Sequence, residues 1–459
     1  MSPQKTESPW LHDLPGLAAL APSGLTIGVA TSAMQVEGAV RDEGREPSTW
    51  DTFMGQSGRI VDDSTAAVAA DAYHRTGEDV RLLRELGVDS YRFSIGWPRL
   101  QPNGRGNANR AAVAFYDRLI DELLAAGIRP TVTLHHFDMP EPLQHAGGWL
   151  NRDTAYRLAD YAFLAGEAFG DRVESWVTIT EPATVMLNGY ALGVHAPGAT
   201  LLFDALPAAH HQLLGHGLAV EALRAADVRG QIGIANTHSP VEPASDKHDD
   251  VLQAEMFDTI HNRLFADPLL LGRFPELPEE LRYLTSAFDE IEPSDLAAIS
   301  RPIDFYGLNY HAPTRIRAGG PGHFPFSPVP WPEFSATGAG VPNAPEFLGV
   351  ALRELSDRYG DSLPPVVVTA GASYPDVVQR DGSIDDEARC AHLAEHLAVA
   401  FAGVPGVDLR GYFVASLLDG WEWEAGFTQP SGLVYVHADT QDRTPKRSYR
   451  FLQELLGNR

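Results

Sequence analysis

Eight short apolar runs punctuate the chain, at 25–31, 91–95, 130–134, 176–180, 232–237, 303–309, 365–369 and 409–416. Runs of this kind, β-branched in the middle as in 176–180, make buried strands because branched side chains pack on a pleated surface. Between them lie stretches with helical spacing, notably 78–86, 111–126, 154–169, 209–225 and 386–401. In the second of these, Phe115, Leu119, Ile120 and Leu123 share one face. Alternation of this sort predicts βαβ units, and eight units in one chain predict a single (β/α)8 TIM barrel of the α/β class. The barrel would take up about 20–457 of a one-domain chain of 459 residues. Such barrels carry their chemistry at the carboxyl ends of the strands.

Composition narrows the classes of function. The chain is 44% hydrophobic and 21% charged, which is ordinary for a globular protein. Its formal net charge of -26 argues against nucleic acid or an anionic membrane as partner. A single cysteine, Cys390, excludes an intrachain disulfide and a thiolate zinc cluster, and it fits a reducing compartment. No apolar run reaches the ~20 residues that span a bilayer. Residues 1–20 lack the continuous apolar core of a secretory signal. The expectation is a cytoplasmic protein acting on a small molecule, without metal or cofactor.

The fourth run, 176–180, ends abruptly on Glu181-Pro182. Proline cannot continue a ladder, so the strand stops with a carboxylate at its carboxyl end. A second irregularity is 312–346, rich in Gly and Pro with Phe324, Phe326, Trp331 and Phe334 interspersed. A loop this long, following the sixth strand, is expected to lie over the active face, either as a lid or binding loop or as a poorly ordered insertion.

Several motifs along the chain coincide in order. They include Thr31-Ser32-Ala33-Met34-Gln35-Val36-Glu37-Gly38, the stretches 91–99 and 133–140, Gly147-Gly148-Trp149-Leu150-Asn151, and 188–197, 304–310, 412–423 and 432–446. Together they resemble glycoside hydrolase family 1, in particular its bacterial β-glucosidases, from about residue 25 to 455. The resemblance implies a retaining β-glycosidase with two glutamates. One is the acid/base in a Thr-x-Asn-Glu-Pro motif, matched by Glu181. The other is a nucleophile in a Thr-Glu-Asn-Gly motif ending the seventh strand. Here that segment reads Val368-Thr369-Ala370-Gly371, which puts Thr369 at the nucleophile's position.

Other departures gather around the same place. Thr180 stands for an asparagine that contacts the sugar, His311 for a tyrosine that touches the nucleophile, and Ala415 for the tryptophan that floors the sugar site. Ser431 replaces an aromatic. Gln35, His136, Asn309, Glu422 and Trp423 still match sugar-contacting positions, and Arg92 matches the arginine beside the nucleophile. With the like charge gone, Glu181 is expected to ionise more readily. Arg92 is expected to sit as an uncompensated cation next to Thr369, inviting an anion. The reading favoured by these changes is a repurposed acid/base enzyme, with Glu181 and His311 or His136 moving protons on a sugar-like or polyoxygenated substrate, an anionic one being a variant. A hydrolase working by substrate assistance or inversion, and a catalytically silent sugar-binding protein, are the alternatives.

Overall fold

The computed structural model describes residues 8–276, 279, 282, 291–320 and 324–459. Eight parallel strands close into a barrel: β1 (Thr26–Ala30), β2 (Ser90–Ser94), β3 (Arg129–His135), β4 (Ser175–Thr180), β5 (Gln231–Thr237), β6 (Phe305–Tyr310), β7 (Val366–Ala370) and β8 (Leu409–Ala415). Each pairs with its neighbour in sequence, and β8 returns to pair with β1. This is the (β/α)8 TIM barrel that the alternation predicts, with every strand bounded within two residues of the apolar run that announced it.

Helices cover the outside. The helix Thr76–Leu86 stops because Gly87 takes a left-handed conformation, φ 82°, and returns its N–H to the Leu83 carbonyl at 3.1 Å. The helix Arg110–Ala125 buries Phe115, Leu119, Ile120 and Leu123, the face read from spacing. The last helix, Arg447–Gly457, packs back near the chain's start, where the Tyr449 hydroxyl donates to the Leu82 carbonyl at 2.7 Å. Among the described residues no helix is long and apolar enough to cross a membrane.

Small residues keep the barrel interior open. A Cβ at Gly28 would collide with the Phe413 ring, and one at Gly233 with the Phe305 ring, so these glycines make room for two aromatics that reach inward. Above the barrel, part of 312–346 is paired backbone. Thr314–Ala318 joins Val241–Pro243 in parallel and Phe326–Val329 antiparallel. Arg315 lies over the Trp331 ring at 3.7 Å, tying the far part of the segment down. Residues 321–323 lie outside the described residues.

Candidate active site at the carboxyl mouth

Glu181 follows β4 with φ 49° and ψ 57°, a left-handed conformation uncommon for a residue with a side chain. Its N–H donates to the Ala235 carbonyl on β5 at 2.7 Å, and Pro182 opens a short helical turn directly after it. The strand therefore stops as the Glu-Pro pair requires, with the carboxylate turned toward Asn309 on β6, His311 just beyond it and Thr184 in the turn that follows β4. Glu181 is 9% exposed.

Three donors converge on that carboxylate. Oε1 accepts from Asn309 Nδ2 and from His311 Nε2, each at 2.8 Å, and Oε2 accepts from the Thr184 hydroxyl at 2.9 Å. Burial by itself would raise the carboxyl pKa. The charge and hydrogen bond of His311, with the bonds from Asn309 and Thr184, outweigh it and hold Glu181 well below the usual carboxylate range. The direction is the one expected from the sequence, but its cause here is His311 with Asn309 and Thr184. In return, Glu181 holds the His311 imidazole above its ordinary value against the opposing effect of burial.

The sign of each shift sets the window for this ion pair. A depressed Glu181 stays ionised as pH falls through its ordinary 4.5 and loses its charge only further into acid. A raised His311 is fully protonated below its ordinary 6.5 and loses its proton as pH rises through the higher folded value. A histidine NMR titration is expected to place the His311 midpoint above 6.5, and Glu181→Gln to bring it down. A wild-type midpoint below 6.5 would contradict the pairing. The His311 side chain is 55% exposed, so it borders the open mouth and lies within reach of solvent and ligand.

Arg92, on β2, crosses the barrel beneath Glu181. Nε donates to the Thr133 hydroxyl on β3 at 2.9 Å, Nη1 to Thr369 on β7 at 3.1 Å, and Nη2 to Thr180 on β4 at 3.0 Å. Thr180 also accepts from Asn309 Nδ2 at 3.2 Å, linking the arginine to the Glu181 cluster. Among the described residues no carboxylate forms an ion pair with Arg92, which is 5% exposed. Burial lowers its pKa to about 10 while the Glu181 charge pulls the other way, so it remains a cation at neutral pH. Among the described residues the expected lack of an ionic partner is observed, yet the guanidinium is not orphaned, because each of its three nitrogens donates to a threonine hydroxyl.

A second group forms the side wall. Gln35 Nε2 donates to Glu422 Oε2 at 2.7 Å, the Ser431 hydroxyl donates to Oε1, and Ser32 fixes Gln35 from behind at 2.6 Å. Burial lifts the Glu422 carboxyl to about 7. Trp423, with φ 52°, packs against Trp50 and Phe137, both with ring centroids at 4.8 Å, and stacks on His136 at 5.8 Å. His136 feels the charges of both Arg92 and Glu181. Burial, the largest influence, pushes it down to about 3, so it is a neutral imidazole and not a companion acid. Of the two histidines expected to move protons, only His311 has the electrostatics for it.

The structure thus gathers Glu181, His311, Asn309, Thr180, Arg92 and Thr369 into one hydrogen-bonded cluster. Gln35, Glu422, Trp423 and His136 stand as an adjoining wall. Sequence reasoning missed Thr133 and Thr184. Thr133 lies two residues beyond Thr131 on β3, the spacing that puts both on one face of a strand, and Thr184 lies one helical turn after Glu181. Ala415, half-buried, ends β8 in register with Ala30. Trp421 packs edge-on against Trp50 at 5.7 Å and donates to the Ser64 hydroxyl at 3.1 Å.

Comparison with known proteins places the chain. The profile of glycosyl hydrolase family 1 matches residues 18–459. Beta-glucosidase A of Acetivibrio thermocellus is 38% identical over 441 residues, spanning 95% of this chain and 98% of its own. The family 1 β-glucosidase of Thermotoga maritima, solved in complex with glucoimidazole, superposes with a TM-score of 0.89 at 37% identity over 95% of this chain and 99% of that one. The virulence factor SghA of Agrobacterium tumefaciens, solved with its substrate analog salicin, gives 0.92 at 36% identity over 97% and 98%. The chain belongs to glycosyl hydrolase family 1.

Proposed function

We propose that this family member has lost the nucleophile of the retaining mechanism, with Thr369 in its place, and acts instead as an acid/base enzyme through Glu181. The substrate is a sugar-like or otherwise polyoxygenated small molecule, and the reaction is a cyclisation, elimination or rearrangement. The observation that carries this reading is the ion pair of Glu181 with His311 at 2.8 Å beside an arginine bonded only to hydroxyls. A carboxylate held ionised is a poor acid toward a glycosidic oxygen and is available as a base toward a substrate O–H or C–H. His311, charged by the same pairing and half-exposed at the mouth, returns the proton. Histidine suits this because its charge changes near neutral pH.

The wall fixes the ligand. Gln35 and Glu422 offer a hydrogen-bonding edge for vicinal hydroxyls, and Trp423 offers an apolar face. Ala415, smaller than the tryptophan that the family resemblance leads one to expect there, would admit a ligand bulkier than a single pyranose ring. An acidic substituent would lie toward Arg92 and Thr369.

The test is a screen of polyoxygenated candidates read by mass. Conversion with mass unchanged, or lowered by one water, supports the reading. If every converted compound gains a water across a glycosidic bond, the protein is a hydrolase working by another route and the proposal fails.

A further inference from the structure

Arg92 divides the barrel interior into two chambers. Above it lies the mouth just described. Below it a cavity of about 380 Å³ opens toward the amino-terminal ends of the strands, and Arg92 is part of its lining. At that end Thr26, Ser90 and Thr131 contribute hydroxyls, and Arg129 and Arg410 join Arg92 as cations. Among the described residues, two of these arginines have carboxylate partners: Glu174, also in the lining, is bonded to Arg129 at 2.9 Å, and Asp408 to Arg410 at 2.8 Å. In a protein of net charge -26, that leaves Arg92 as the lining cation without a carboxylate partner among the described residues.

We infer that this rear chamber binds a small monovalent anion, of the halide, nitrate or formate class, against the underside of Arg92. A buried guanidinium without a carboxylate partner carries a large desolvation cost that neutral hydroxyls offset only in part. The nearest acid, Glu181, is already neutralised by His311 at 2.8 Å. Two N–H bonds remain on Arg92 after those to Thr133, Thr180 and Thr369, since a guanidinium has five donors. Space is ample. With roughly 30 Å³ per water, the chamber holds a hydrated ion without moving a wall. The anion enters from the face opposite the mouth, so it reaches the guanidinium without passing the substrate site. An acidic ligand group at the mouth and an anion in the rear chamber then draw on one cation, and each must weaken the other's binding to the same degree.

The probe is bromide on the ligand-free wild-type protein. Crystals soaked in bromide are expected to give an anomalous peak in the chamber, in contact with Arg92 from below. In solution bromide is expected to raise the melting temperature saturably, relative to a gluconate salt at equal ionic strength. Gly411 lines the chamber, and a Cβ there has only ordinary contacts, 3.4 Å to Val367 and 3.5 Å to the Thr26 carbonyl. Gly411→Leu, which fills the space, is expected to abolish the bromide-specific rise, and Thr131→Val to weaken it. No peak in the chamber at saturating bromide would overturn the inference. So would a peak only on the Thr369 side, or a bromide-specific rise kept intact in Gly411→Leu. No substrate is needed, so failure here leaves the reading of Glu181 untouched, and failure of that reading leaves this one untouched.

Discussion

Replacing Glu181 by glutamine is expected to cost roughly 10²–10⁴-fold in turnover of the protein's own substrate, the usual worth of a positioned general base. The substitution is nearly isosteric. A glutamine oxygen can still accept from Asn309 and His311, now at 2.8 Å from Glu181 Oε1, so the cluster keeps its shape. What disappears is the charge. The amide cannot take a proton, and His311 loses the partner that raised its pKa. Two readouts follow: turnover collapses, and the alkaline limb of any residual pH profile moves toward lower pH. The melting temperature and the affinity for substrate should change little. A variant that works at the wild-type rate would make Glu181 a structural remnant and leave a sugar-binding role in its place.

Hydrolysis of nitrophenyl glucoside, galactoside and fucoside by the wild-type protein is expected to be negligible, far below the ~1–10³ per second of ordinary enzymes. On the proposed reading, the displacement step has no group to perform it. A retaining glycosidase needs a second carboxylate ~5–5.5 Å from the first. The hydroxyl at 369 accepts a hydrogen bond from Arg92 at 3.1 Å. A guanidinium only donates, so it withdraws electron density from that oxygen and cannot serve as the base an alcohol nucleophile requires. Thr369→Glu would set a carboxylate against Arg92, yet on the proposed reading it is expected to restore little by itself, because Thr180 and Ala415 would also stand where the family has other residues. Turnover of an aryl glucoside in the ordinary range would refute the account.

Much of this was legible in the sequence because strand period, helix spacing and the Glu-Pro stop are local. The runs that marked the eight strands were bounded to within two residues, and Glu181 stands at the end of β4 where proline forces the ladder to stop. What could not be read is what depends on reach across the barrel. Arg92 was expected to be an uncompensated cation, and chain order gives no hint that Thr133, Thr180 and Thr369 from three different strands meet one guanidinium. His136 and His311 looked alike as proton carriers. Burial lowers both, and what separates them is the Glu181 carboxylate, which bonds His311 and lifts it while His136 is pushed down to about 3. The segment 312–346 carries glycine and proline in plenty, which masks two short strands held by partners that are remote in sequence, including Val241–Pro243.

The left-handed backbone of Glu181 bears on how this chain has changed over generations. A side chain at φ 49° costs on the order of 1–3 kcal/mol that glycine would not incur, and burial of a carboxylate adds to the cost. At a site drifting without purpose, glycine or asparagine would be the cheaper residue, and mutation would find them readily. On the proposed reading the surroundings at 180, 311, 369 and 415 have changed, while Glu181, like Trp423 at φ 52°, keeps a side chain where the backbone makes it expensive. On that reading the strain is kept because the carboxylate at 181 is still in use.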